Sequence, residues 1–370
     1  MHNNDRVLRL LSYLGADPTN RSLQIDLAHA AFDAGQHDLC DKMLDELRSA
    51  QPHSAGLLNL EGLNALARNQ PERALASFRA IVPTDRDPTV QYNEAYALAL
   101  LERYEEALGV LVHPALHTLP CAVALCIRVL HHLQRLDDAI ALGEQYAATQ
   151  PEIAAPLSVA LFDAGKPDDA RKYALLAGGA VDAWAILGLL DLECGAVDSA
   201  EQKLNSALQY QPTHGRAMLG RGLIQMARRQ FDAAADTLSI AARTLDSHAG
   251  TWIAAGWAFL YKEEFSTARR HFDEALALDR TFAEVHGSLA VLDYQEGLLD
   301  SARSRADTAL HLDKNCASAM LALSLLQASD GNIDRSRATL DAALNRPVGT
   351  GNRSFLQKMS AFSQTPPDIH

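Results

Sequence analysis

The stretch HPALHTLPCAVALC gathers His113, His117, Cys121 and Cys126, and imidazole nitrogens with thiolates are the usual protein ligands of zinc. Their spacing argues against a metal: Pro114 and Pro120 break any helical register between them, and Cys126 falls on an apolar helical position. No metal and no other cofactor is expected. His131 and His132, with Arg128 one turn before them, could line a small polar pocket. The five cysteines contain no CxxC and read as reduced thiols rather than a disulfide framework. A Gly-rich phosphate loop, a GxSxG elbow and an HExxH helix are all missing from the sequence. The chain therefore reads as noncatalytic.

What holds such side chains in place is a repeat. Stepping by 34 residues from Ala249 aligns TWIAAGWAFLYKEEFSTARRHFDEALALD with the stretches before and after it. Spacings of 30 to 34 residues extend this to ten units, starting near Arg21, Ala55, Pro88, Pro120, Pro151, Val181, Gly215, Ala249, Ala283 and Ala317. Position 20 of the unit is Ala in all but the first and last, which have Cys40 and Ser336. Position 8 is small everywhere except Ile127, as two closely crossing helices require. Each unit has an apolar run, a turn (Gly35, Gly165, Gly195, Gly297 and Gly331 in five of them) and a second apolar run. The second run often opens on an acid such as Asp168, Asp198 or Asp300.

One such hairpin cannot bury its apolar face alone, so neighbours must stack and the ends need covers. Val7, Leu10, Leu11 and Leu14 share one helical face, as do Phe355, Leu356, Met359 and Phe362. Residues 1–20 and 351–370 are therefore expected to form an N-terminal capping helix and a C-terminal capping helix with a tail, flanking a repeat domain at 21–350.

These units resemble tetratricopeptide repeats. Trp184, Leu187, Gly188, Ala200, Ala207 and Pro212 match that family's pattern in one unit, and Trp252, Gly256, Phe259, Ala268, Phe272 and Ala275 in another. The resemblance implies an all-α fold, a right-handed superhelical solenoid of antiparallel helix pairs, and a role in binding protein partners. It also places Ile253, Trp257, Leu260 and Tyr261 on the concave inner surface, where other units carry Tyr92, Tyr96, Phe162, Leu189, Leu223, Met226 and Tyr294. An exposed apolar surface of that extent marks a binding site. The expected partner is a protein or peptide offering an apolar or amphipathic segment. Tight curvature, or the chain's own tail, would instead cover these side chains. Position 5, where co-chaperones of this family carry the Lys of a carboxylate clamp, holds no Lys in any unit.

Charge narrows the partners further. Forty-six acidic against 33 basic residues give a net charge of −13, which repels phosphate backbones and anionic lipid. Neither nucleic acid nor membrane is expected as a partner. Arg269, Arg303 and Arg337 share one register position, each with an Asp four residues later, and read as a self-neutralised solvated face. No leader or 18-residue apolar run is visible, so a cytoplasmic location is expected. An adaptor or scaffold fits best. A dedicated chaperone for a secreted or aggregation-prone client, or an accessory subunit of an enzyme complex, is the alternative.

Overall fold

The computed structural model describes residues 2–48 and 54–345. Every regular element among them is a helix. The chain divides into two compact units, Met1–Ala160 and Leu161–His370.

The first unit opens with α1 (His2–Ala16) and continues as helix pairs: α2 (Arg21–Asp33) with α3 (His37–Arg48), α4 (Ala55–Ala67) with α5 (Pro71–Ala80), α6 (Pro88–Leu100) with α7 (Tyr104–Leu111), and α8 (Pro120–His132) with α9 (Leu136–Tyr146). The division falls inside α10 (Ala154–Asp163), which α11 (Pro167–Leu176) follows. The second unit then runs α12 (Val181–Glu193), α13 (Val197–Tyr210), α14 (Gly215–Ala227), α15 (Phe231–Thr244), α16 (Ala249–Tyr261), α17 (Phe265–Leu278), α18 (Ala283–Gln295), α19 (Leu299–Leu312), α20 (Ala317–Ser329) and α21 (Ile333–Leu344). In the shortened unit beginning at Pro151 a 3-10 turn, Pro151–Ile153, precedes α10.

Side-chain caps start several of the first helices. Asn20, Asp87, His214 and His248 accept from the backbone N–H of Leu23, Val90, Ala217 and Thr251, which satisfies a donor that the helix leaves without a partner. The turn between paired helices recurs in one form. Its fifteenth repeat position has positive φ at Gly35, Gly165, Gly195, Gly297 and Gly331, and equally at Asn69, Glu102, Gln134, Arg229 and Glu263. The last five hold a left-handed conformation that glycine adopts without a Cβ penalty.

The core lies between the paired helices and between each pair and the next. Position-20 residues from Cys40 to Ala302 are fully buried. Position 8 is small because a bulky residue faces it: a Cβ on Gly188 would sit 2.7 Å from Leu204 Cγ, and one on Gly222 2.5 Å from Leu238 Cγ. On α1, Val7 is buried and Leu10 and Leu14 pack against the α2–α3 core, whereas Leu11 is 39 % exposed. The expected C-terminal capping helix lies outside the described residues.

Candidate binding surface

In the first unit the sequence-derived candidates lie on α6. Tyr96 is 40 % exposed, and Tyr92, half-buried, stacks against it with ring centroids 6.2 Å apart. Burial, and then the neighbouring Cys121 thiol, push the Tyr92 hydroxyl above the usual phenol range. Leu100, one turn on and 45 % exposed, extends the row and was not anticipated from sequence. Its position 13 matches that of Tyr261, which is the signal that could have found it.

In the second unit Leu223 is 37 % and Tyr261 56 % exposed, while Phe162, Met226, Trp257 and Tyr294 are half-buried. Leu189, Ile253 and Leu260, expected on the inner surface, are core residues only 6 %, 8 % and 8 % exposed. The cause is how closely the first helices approach one another. A Cβ on Gly220 of α14 would lie 3.3 Å from Leu189 Cδ2, so α14 covers that side chain. Ile253 and Leu260 are covered likewise in a cluster with Val285, Leu289 and Leu292 of α18.

Trp257 and Tyr261 are exposed in part and tied in part. The Trp257 indole N–H donates to Ser288 Oγ of α18 at 2.9 Å. Tyr261 lies face to face with Phe231 of α15 at 4.9 Å and tilts against Trp257 at 6.0 Å. Each ring therefore bridges two repeats as well as meeting solvent. The same stacking recurs at the same register positions between Tyr104 and His132, 4.6 Å apart. Trp252, expected in the inter-helix core, is half-buried; its indole donates to the Asp246 carbonyl at 2.8 Å.

Charges at the first-helix N-termini of the second unit are paired within the unit. His214 Nε2 lies 2.9 Å from Asp182 Oδ1, and Arg216 pairs with Asp163. Glu284 accepts from the Ala317 N–H at 2.9 Å and from the Ser318 hydroxyl, capping α20. Beside them Leu223 and Tyr261 remain exposed, as does the polar Gln295 at the register position of Tyr261.

The arginine ridge is arranged differently from the expectation. Arg269 pairs with Asp293 and Glu296, and Arg303 with Asp330, each on the following hairpin rather than with the Asp four residues later. Asp293 also accepts from Ser301 and pairs with Arg305. Asp191 repeats the arrangement with Arg171, Ser199 and Lys203. Burial alone would raise the Asp191 carboxyl, but the hydrogen bonds from Lys203, Arg171 and Ser199 outweigh it and hold the group below the usual carboxylate range. Sequence reasoning missed these buried carboxylates, although the matching D, S and K/R spacing in DLECGAVDSAEQK and DYQEGLLDSARSR was there to read.

The possible zinc ligands are not brought together. His113 Nδ1 accepts from the Ala115 N–H, His117 Nδ1 meets the Tyr146 hydroxyl, Cys121 is exposed, and burial pushes the Cys126 thiol up to about 11. Among the described residues no group of three or more His, Cys, Asp and Glu could hold a metal ion.

The tetratricopeptide repeat family model matches residues 25–89, 59–111, 187–249 and 288–350, more than half of the chain. The chain belongs to the tetratricopeptide repeat family. Among solved structures it is similar to Cut9 in the APC/C hetero-tetramer Cut9–Hcn1, at TM-score 0.51 and 13 % identity, covering 93 % of this chain and 83 % of that one. It is also similar to the human IFIT1 dimer with PPP-AAAA, at TM-score 0.52 and 15 % identity, covering 93 % and 94 %. Among curated proteins it resembles the BBSome complex member BBS4 of Xenopus tropicalis, 29 % identical over 94 residues, which is 25 % of this chain and 18 % of that protein. The chain thus spans under a fifth of the length of that relative. Among the described residues no helix is long and apolar enough to cross a membrane.

Proposed function

We propose that this tetratricopeptide repeat protein is a noncatalytic scaffold or adaptor of the cytoplasm that holds an apolar or amphipathic segment of a partner protein against the exposed face of its first helices. The supporting observation is the row Leu223, Met226, Trp257, Tyr261 and Tyr294, partly open to solvent on a face whose nearby charges are already paired. Tyr92, Tyr96 and Leu100 offer a second such surface in the first unit. Leu189, Ile253 and Leu260 serve this surface from beneath rather than by contact. Large aromatic and aliphatic anchors of this kind carry most of the energy of a protein interface. Membership of the family, and the place of Cut9 and BBS4 in multi-subunit assemblies, favour a partner that is a protein. The PPP-AAAA ligand belongs to IFIT1, and the net charge of −13 opposes a polyanion here.

A random peptide library displayed on phage and selected on the purified chain tests this reading. Enriched peptides should be apolar or amphipathic, and binding should fall at least tenfold with Leu223→Ser while Leu278→Ser, on the exposed side of α17, leaves it unchanged. Enrichment of acidic peptides, or equal binding to both variants, would overturn it. Whether a natural partner found later is soluble alone separates adaptor from chaperone.

A further inference from the structure

Trp184 of α12 and Trp252 of α16 share position 4 of their units, yet their indoles end differently. The Trp252 N–H donates to the carbonyl of Asp246, six residues earlier. Six residues before Trp184 stands Gly178, with φ 61°, in the shortened linker that follows α11. The Trp184 ring is half-buried, but its N–H meets water and makes no hydrogen bond among the described residues. Beside it lies the Tyr210 ring, 5.4 Å away and tilted by 36°. Tyr210 ends α13, is 71 % exposed, and its hydroxyl likewise makes no hydrogen bond among the described residues. On the other side of the linker Leu175 and Leu176 close α11, 64 % and 51 % exposed. Lys172 shares their helical face one turn earlier. Its amino group lies 5.0 Å from the Tyr173 ring and forms no ion pair among the described residues.

We propose that this ledge docks an extended proline-rich segment of a partner protein, with an acidic residue beside its prolines. The free polar groups at the two rings are an indole N–H and a phenol, so the ligand must bring acceptors. A polyproline II segment has no internal hydrogen bonds and offers every carbonyl, and proline has no N–H to strand against an aromatic face. A helical peptide has already spent most of its carbonyls within the helix. Aromatic-lined surfaces take proline-rich segments in this way, and Leu175 and Leu176 widen the apolar floor. Charge points to the acid. Lys172 has no carboxylate of its own, while Asp182, two residues before Trp184, is already held by His214 at 2.9 Å. The ledge shares no residue with the row Leu223, Met226, Trp257, Tyr261 and Tyr294, and it does not rest on the function proposed for that row.

Titrating a decaproline peptide that ends in Glu-Glu into the 15N-labelled full chain tests this. The three tryptophans give three indole N–H signals, each assigned by its Trp→Phe variant. The Trp184 signal should shift saturably while those of Trp252 and Trp257, tied inside the fold, barely move. Tyr210→Ala, at an exposed side chain, should weaken binding roughly fivefold or more. Trp184→Phe keeps a ring, removes the donor and should also weaken it, with circular dichroism unchanged in both variants. Lys172→Glu should weaken binding of this peptide and leave that of decaproline without the glutamates unchanged. Leu223→Ser should have no effect, which separates failure here from failure of the first-helix surface. Absence of a saturable shift, a shift at Trp257 in place of Trp184, or equal binding of a Gly/Ser peptide ending in Glu-Glu would overturn the proposal.

Discussion

Gly188→Ala isolates the close packing on which the stack depends. The added methyl would sit 2.7 Å from Leu204 Cγ, 2.8 Å from Leu204 Cδ2 and 3.3 Å from the Ala200 carbonyl oxygen. Leu204 cannot retreat. It is 1 % exposed, and on its other side a Cβ at Gly220 would lie 2.7 Å from Leu204 Cδ1, so α14 backs it directly. Forcing an extra carbon into such a site costs roughly 1–3 kcal/mol. Alanine returns up to about 1 kcal/mol of helix propensity over glycine. A net loss of about 0–2 kcal/mol remains. Gly56→Ala on α4 is the control, since nothing lies within 4 Å of its added Cβ, and it should stabilise by ~0.5–1 kcal/mol. Urea denaturation of both variants measures the difference, and Leu204→Ala in the Gly188→Ala background should show non-additive coupling. Equal stability of the Gly188→Ala and Gly56→Ala proteins would refute the packing argument.

Other outcomes follow from single sites. Glu263→Gly, at a turn with φ 61°, should stabilise by about 0.5–1 kcal/mol, because the left-handed cost of ~1–2 kcal/mol exceeds the extra unfolded-state entropy of glycine; Gly297→Ala should do the opposite in the same denaturation assay. Asp191 has its carboxyl held low by Lys203, Arg171 and Ser199, so its contribution is present above the ordinary carboxylate pKa and is lost as pH falls through the lowered one. Asp191→Asn should therefore lower the melting temperature at pH 7 and flatten its decline below about pH 4. Trp257→Phe leaves Ser288 Oγ without its indole donor and should cost about 1 kcal/mol in thermal melts. Burial holds Cys40, Cys126 and Cys316 at pKa values of about 11 while Cys121 and Cys194 are exposed, so native protein should expose two fast-reacting thiols to Ellman's reagent and the denatured chain five.

Legibility in the sequence followed the chemistry. Small residues at position 8 and Ala at position 20 were readable because close helix crossing admits little else. The turns were half readable. Gly35 and Gly297 announce a left-handed residue, but Glu102 and Arg229 adopt the same conformation with nothing in their side chains to signal it. The face of a residue was harder than its helix: Ile253 and Tyr261 share the expected inner surface in sequence, yet α18 covers one and leaves the other 56 % exposed. That outcome depends on how closely neighbouring helices approach, which no single repeat encodes. Arg269 was assigned to Asp273 by proximity along one helix, whereas a long guanidinium reaches the next hairpin, where Asp293 is almost fully buried and cannot be left without cations.

The most direct measurement is a hydrogen-exchange footprint of a selected peptide on the wild-type chain. Slowed exchange should concentrate in α14, α16 and α18, whose exposed face carries Leu223, Met226, Trp257, Tyr261 and Tyr294, with the second helices α15, α17 and α19 little changed. Protection confined to those second helices, or none on peptide saturation, would contradict a binding surface on the first-helix face.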